Sequence, residues 1–337
     1  MDSLTHIALG ACIGEAVLAK QTGKRALLLG AVAQSLPDID VVASLWLHPV
    51  NNLLVHRGFT HSLLFGVTAG ALLPFIASKA VRLKNIPFIR LFFFFCLQMW
   101  LHDLLDTCNA YGTGLFEPFS SRRFSLHLLF VADPFFSVSL VIASVVLALL
   151  RKGHRKRKVW LFIGLLPASL YFIYAVFNKT AVQENVEKSL SAERIPYKDF
   201  FITPTPFNTW LWYVVAATDS GYTIRYRSVF DKKSLLMPFT YHPKNERLLQ
   251  AADTTVNVEQ LRRFADDYYT VDRRGDTLLF NVLRFGQVFG WQNAKADFAF
   301  QYFLHPAYDN TFLVQRGRFK GWNRRTLIRM YRRIEGE

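Results

Sequence analysis

The chain reads as an α+β protein: an N-terminal polytopic α-helical membrane domain, residues 1–177, followed by a small mixed, mainly antiparallel β domain, residues 178–337. Three observations predict this. The composition is 51% hydrophobic with 31 Phe and only 19% charged residues, ordinary for a chain partly dissolved in lipid. The apolar surplus is confined to residues 1–177, which hold 16 Lys/Arg and 8 Asp/Glu against 24 and 17 in the remainder. Beyond residue 200 the hydrophobic pattern changes to short alternating runs separated by turn residues.

A spanning helix needs about 20 mostly apolar residues. Residues 62–81 (SLLFGVTAGALLPFIASKAV), 134–150 and 159–177 meet that need. Three further runs, 3–19, 26–47 (interrupted by LPDID) and 88–107 (ending in LHDLLD), carry acids or histidines, so spanning helices and buried amphipathic helices both stand as readings. Residue 1 is expected to stay in the mature protein: MDSLTH has an acid where a signal peptide carries positive charge, and KQTGKR replaces a cleavage site. Cys12, Cys96 and Cys108 form no spaced framework, so no disulfide scaffold is implied.

Basic loops stay cytoplasmic. KQTGKR (20–25), KAVRLKNIPFIR (79–90) and RKGHRKRK (151–158) hold 13 of the 16 Lys/Arg of this half. Placing those loops inside puts two crossings between each pair. The N-terminus, residues 48–61, residues 102–133 and everything after 177 are then expected outside.

On that map the acids and histidines gather. Apart from Glu15 and His154, those of the first half all fall toward the outer side. At about 1.5 Å per residue, His6, Asp38 and His102 each lie roughly 18–21 Å from the basic flank of their own segment. Carboxylates and imidazoles at such depth are costly unless they face a cavity and pair with a cation. A divalent metal answers this, zinc first, with manganese or iron also suited to the donors. The predicted ligands are His6, Asp38, His56, His61, His102 and Asp106. His102 and Asp106 are i and i+4 on a helix, one turn apart on one face. Asp103, about 100° away, is cast as accessory acid/base together with Asp40. Pro37 is expected to break the helix and leave Asp38 and Asp40 on one side of an extended piece. Asp38 as a helix N-cap, Thr60 as the cap of the span at 62, and Asp133 before Pro134 as an ordinary helix start are the structural alternatives. His127 and Asp133 are lower-rank candidates, and His48 before Pro49 reads as solvated. Arg57, Arg122 and Arg123, basic residues on the outer side, are assigned to an anionic substrate group, since guanidinium suits bidentate phosphate contact, with helix-end or loop solvation as the structural alternative.

With DSLTH, LPDID, HRGFTHS, LHDLLDTCNAYGTGLFEPF, SRRFSL and ADPFF in view, the chain resembles the LexA-regulated, membrane-bound metal-dependent hydrolases, the YdjM-like family, over most of residues 1–135. The resemblance implies a bacterial or archaeal inner-membrane protein with metal-assisted hydrolytic activity on a substrate not established for the family. The order of the candidate ligands is also similar to that in zinc-dependent phospholipase C and P1-type nucleases. Those enzymes are soluble, and their last ligand helix has no clear counterpart here. That likeness implies a phosphoester, and a site at the outer leaflet suits a lipid or lipid-linked one. The competing class is a non-catalytic metal-binding membrane protein: a sensor, transporter or partner-binding scaffold.

In the second half, residues 178–200 read as a helix leaving the membrane. TWLWYVVAAT, a DSG turn and YTIRYRSVF signal a hairpin, and TLLFNVLRFG and DFAFQYFL further strands. VNVEQLRRFADDYY is an amphipathic helix with Asn257 and Gln260 as a capping box. Asp219, His242 and His305 show no ligand spacing. The tail RGRFKGWNRRTLIRMYRR (316–333) has eight basic residues interleaved with Phe319, Trp322, Leu327, Ile328 and Tyr331. Tethered beside a bilayer, it reads as a helix for anionic lipid rather than for nucleic acid. The bilayer is the expected partner, and the net charge of +15 follows mainly from the orienting loops and this tail.

Overall fold

Among the described residues, eight helices or helical turns precede the first strand in the computed structural model, which describes residues 1–46, 54–80, 83, 86–232, 237–251, 258–275, 277–304, 314–315 and 321–337. His48, Pro49, Asn257 and His305 lie outside the described residues.

The first compact unit comprises Met1–Ala43 and Val55–Ala175. Helix α1 (Ser3–Thr22) starts at Asp2, whose carboxylate accepts from the Thr5 N–H. Helix α2 (Arg25–Ser35) lies against it. Gly10 and Gly14 on α1 and Gly30 on α2 make this crossing possible: a Cβ at Gly30 would fall inside the contact shell of the Gly10 carbonyl oxygen, and one at Gly14 inside that of Ala26. Without a hydrophobic drive between helices in lipid, such small-residue seams are what draw backbones together. Helices α3 (Leu63–Ala80) and α4 (Phe88–Thr107) use the same device, with Gly66 under Trp100 and Gly70 under Cys96. Helix α5 (Pro134–Leu149) opens on an Asp133 N-cap with Pro134 in its first turn, and α6 (Arg157–Ala192) runs for 36 residues.

Among the described residues, α4 and α6 are long and apolar enough to cross a membrane, and α2 with the following turn forms a third if the bent pair is one span. The runs at 62–81 and 134–150 fold into helices of 18 and 16 residues, about 27 and 24 Å, shorter than a hydrocarbon core of about 30 Å. The run at 88–107 is one unbroken helix with half its window buried, because its acids and histidines turn inward. Large apolar side chains such as Leu72, Phe75 and Ile76 on α3 and Phe162 on α6 face outward.

The basic segments meet at one end of this unit. Arg90 donates to the Val17 carbonyl, Lys24 to that of Ala148, and the Arg157 guanidinium makes a paired contact with Glu15 at 2.7 and 2.8 Å while also donating to the Leu147 and Leu150 carbonyls. Glu15, the one acid toward that flank, is therefore the partner of a buried arginine, a pair that costs several kcal/mol to break from one side. All three cysteines are buried and none is in a disulfide.

The second unit comprises Ser44–Leu54 and Val176–Glu337. Strands β1 (Asp199–Pro204), β2 (Leu211–Ala217), β3 (Gly221–Ser228) and β4 (Thr240–Pro243) form one antiparallel sheet in that order. Strands β5 (Tyr269–Arg274), β6 (Thr277–Gln287), β7 (Phe298–Phe303) and β8 (Val314–Gln315) form another. Successive residues of β2 point to opposite faces, and both faces are covered. Leu211, Tyr213 and Val215 join Leu283, Phe298 and Met330, while Trp212, Val214 and Ala216 pack on Val182, Val186 and Leu190 of α6. The expected β2–β3 hairpin is present, with Tyr213 opposite Tyr226. The helix expected near 258 is α7 (Val258–Ala265). Asp219 pairs with Lys198 at 2.9 Å on the surface, and His242 lies on β4 against Phe298.

The basic tail forms α8 (Arg324–Ile334), capped by Asn323. It is pinned to its own unit through Met330 and through Arg333, which donates to both oxygens of Asp231 and to the Tyr226 carbonyl. Leu327, Ile328 and Tyr331 stay exposed with Arg324, Arg325 and Arg332 around them.

Candidate metal centre

Pro37 ends α2 because it has no N–H to continue the hydrogen-bond ladder. The chain does not become extended there. It winds into a 3-10 helix, Pro37–Leu45, bent 51° from α2. At three residues per turn, positions two apart diverge by about 120°, so Asp38 and Asp40 separate where an extended piece would have aligned them. Asp38 reaches α4, and Asp40 turns to the segment 56–61.

That segment is a loop closed by a short 3-10 turn, Phe59–His61. Asp40 organises it. Its Oδ1 meets His56 Nδ1 at 2.7 Å, and its Oδ2 accepts from the Arg57 N–H at 3.0 Å and the Thr60 hydroxyl at 2.8 Å, with His61 Nδ1 at 3.3 Å. Thr60 is thus spent on Asp40, and the cap expected of it falls to Ser62, whose hydroxyl accepts from the Phe65 N–H. Asp40, assigned from sequence as an acid/base, engages both of its oxygens with these four groups. Its replacement in Asp40→Asn is expected to lower metal affinity about 10- to 100-fold by loosening the ring of His61. Chelator competition measures this, and unchanged affinity would deny Asp40 its orienting role.

The centre itself is Asp38, His61, His102 and Asp106, whose ligand atoms all lie within 4.8 Å of one another. His102 Nδ1 faces the Gln34 carbonyl at 2.6 Å, an acceptor, so Nδ1 carries the proton and Nε2 a lone pair. His61 Nδ1 faces the Asp40 carboxylate, which fixes the same tautomer. The two Nε2 atoms stand 3.1 Å apart. Asp38 Oδ1 is 3.4 and 3.6 Å from them, and Asp106 Oδ2 is 3.5 and 3.7 Å. Four acceptors therefore converge with no proton assigned between them. One shared proton would satisfy the imidazole pair, but the carboxylates stand well beyond the roughly 2.7–2.9 Å of a charge-assisted hydrogen bond. The separations instead match the edge, about 3.3 Å, of a tetrahedron with ligands at about 2.0–2.1 Å from a zinc-like ion. The donor set fits a divalent cation.

Three of the four are fully buried; Asp38 is partly exposed and opens the centre to its surroundings. The rings of His6 and His102 stack with centroids 3.8 Å apart, and those of His61 and His102 are 4.9 Å apart. The gathering of these three distant positions, the premise of the metal reading, is met.

The remaining candidates take other places. His6 stands outside the four-residue set: its Nε2 lies 3.2 Å from Asp106 Oδ1 and its ring braces His102. The Met1 amine contacts the same Asp106 oxygen. His56 is held away by Asp40 and is partly exposed. Asp103 is buried with neither oxygen hydrogen-bonded, and it stands outside the four-residue set. Asp133 caps α5 and accepts from the Tyr171 hydroxyl at 2.9 Å, and His127 stands outside the ligand group.

Of the arginines, only Arg122 is exposed. Arg57 is buried, with Nε 3.2 Å from Asp106 Oδ2, Nη1 donating to Asn109 at 2.7 Å and the guanidinium over Tyr111; burial lowers it to about 10, so it remains charged at neutral pH. Arg123 donates to the His56 carbonyl. Arg57 and Arg123 thus spend donors on Asn109 and the His56 carbonyl, and Arg57 also lies against Asp106. The sequence reading passed over Gln34 and Asn109. Gln34 acts through its backbone carbonyl, which no side-chain pattern announces, whereas an asparagine two residues after a His-x3-Asp helix was a visible signal.

The model of the YdjM inner membrane protein family matches residues 1–182. Inner membrane protein YbcI of Escherichia coli (strain K12) is 35% identical over 123 residues, 36% of this chain and 69% of that protein. Uncharacterized protein YfhP of Bacillus subtilis (strain 168) is 26% identical over 96% of this chain and 95% of its own length. No solved structure matches the chain significantly.

Proposed function

The chain belongs to the YdjM inner membrane protein family, and from that premise we propose that it is a membrane-bound, metal-dependent hydrolase acting on a phosphoester. The observation that carries the reading is the convergence of two imidazole lone pairs and two carboxylates on one point, with an opening at Asp38. Asp38, His61, His102 and Asp106 would hold a divalent ion, which when bound would supply Lewis acidity toward a phosphoryl oxygen and lower the pKa of water.

The protein's own residues do the rest. Asp40 holds His56 by Nδ1, leaving Nε2 to exchange a proton with water or with the leaving oxygen, the same division of labour as in any Asp-oriented histidine. Arg57 offsets the charge of Asp106 and keeps its carboxylate aimed. Arg122, exposed above Phe124, meets the anionic group of the substrate.

In the same reading the protein is multi-pass. The basic ends of α1, α4 and α6 lie in the cytoplasm, and the metal centre and residues 178–337 lie outside. The exposed arginines and apolar residues of α8 suit anionic lipid. Purified in detergent, the protein is expected to hydrolyse p-nitrophenyl phosphate or its diester, to lose that turnover to a chelator and to regain it with zinc, manganese or iron. A preparation with full metal occupancy and no turnover of either ester class would favour the non-catalytic metal-binding reading.

A further inference from the structure

Beside the centre, large apolar side chains stand uncovered on chain that is not part of any long helix. Phe119 is 84% exposed, and Phe59, Phe116 and Leu126 are each nearly half exposed. Backbone bonds set their level. The Leu63 N–H, at the first residue of α3, donates to the Leu115 carbonyl at 3.0 Å; the Leu126 N–H donates to the carbonyl of Thr107, the last residue of α4, at 2.7 Å; and Thr113 pairs with Phe124. Segment 113–126 is therefore stitched across the ends of two apolar helices. Those helices are already apolar and uncovered at these ends, at Leu63, Leu64 and Leu104.

An exposed apolar loop at that level has one fitting surround. Aromatic side chains settle where hydrocarbon meets headgroups, and an arginine beside them extends its guanidinium toward lipid phosphates. Arg122, exposed between Phe119 and Leu126, is placed to do this. The metal centre shares the level, since His61 precedes Leu63 by two residues and Asp106 precedes the end of α4 by one.

We infer that residues 115–126, with Phe59, are seated in the bilayer interface, and that the group acted on is the polar head of an amphiphile drawn from the same leaflet. The second clause rests on the hydrolase reading; the seating does not.

The test is nitroxide labelling of Phe119→Cys and, separately, Phe116→Cys in phosphatidylethanolamine/phosphatidylglycerol vesicles, the three native cysteines being buried. Collision with oxygen is compared with collision with a water-soluble nickel chelate. Leu72→Cys, on the outward face of α3, gives the lipid reference, and Asp219→Cys, in the β2–β3 turn, the aqueous one. Both loop labels are expected to favour oxygen several-fold over the aqueous reference. Accessibility equal to that reference at both positions, in protein that still binds its metal, overturns the seating while leaving the hydrolase reading standing. Lipid-like accessibility in a protein that turns over no ester removes only the substrate clause.

Discussion

Replacing His102 and Asp106 together by alanine is expected to reduce bound metal from about one ion per chain to a small fraction, and turnover by on the order of a thousandfold or more. Half the donor set goes, and Asp38 and His61 alone fill only two positions of a tetrahedral shell. His127→Ala is the matched control and is expected to keep full occupancy, because His127 stands outside the ligand group. Elemental analysis of detergent-purified protein reads both. Turnover that survives the double replacement would remove the hydrolase reading, and retained metal would remove the ligand set.

Gly30→Leu is expected to be the most damaging substitution away from the centre. The site of its side chain is occupied by the backbone of α1 at Gly10 and Gly14, so the helices must part. Overpacking a core costs about 1–3 kcal/mol even where side chains yield, and here the obstacle is main chain. The damage reaches the centre, because α2 delivers the Gln34 carbonyl to His102 and leads into Asp38. Heating in detergent followed by size-exclusion chromatography should show a clear loss of folded protein at temperatures the wild type survives. Leu28→Ala, on the exposed face of the same helix, should not show it. An unshifted Gly30→Leu profile would mean that the seam is looser than its geometry.

The ligand pair on α4 was legible because helical spacing is rigid: His102-x3-Asp106 has one outcome if the segment is helical, and it is. The turn after Pro37 was less so. Proline announces that α2 stops but not whether the chain extends or winds on, and that difference decides whether Asp40 joins Asp38 or serves His56 and His61. His56 and His61 looked equivalent in HRGFTHS, yet only the tertiary arrangement says which ring reaches α4. Arg57 reads as a substrate residue for the same reason. An arginine among ligands has the same letters whether it faces out or braces a carboxylate.

The helix seams left a trace that the sequence reading did not use. Gly10-x3-Gly14 and Gly66-x3-Gly70 are small-residue pairs on apolar segments, a pattern with a known packing consequence in lipid. In the second half, the alternation of TWLWYVVAAT located β2. Both faces of that strand are apolar, so composition alone gave no hint that α6 would cover one of them.

X-ray absorption at the edge of the metal that copurifies with the wild-type chain bears most directly on the whole account. It should give a first shell of about four nitrogen or oxygen neighbours at about 2.0–2.1 Å, with the outer-ring scattering of two imidazoles. Sulfur neighbours near 2.3 Å, a shell without imidazole, or no stoichiometric metal in active protein would contradict it.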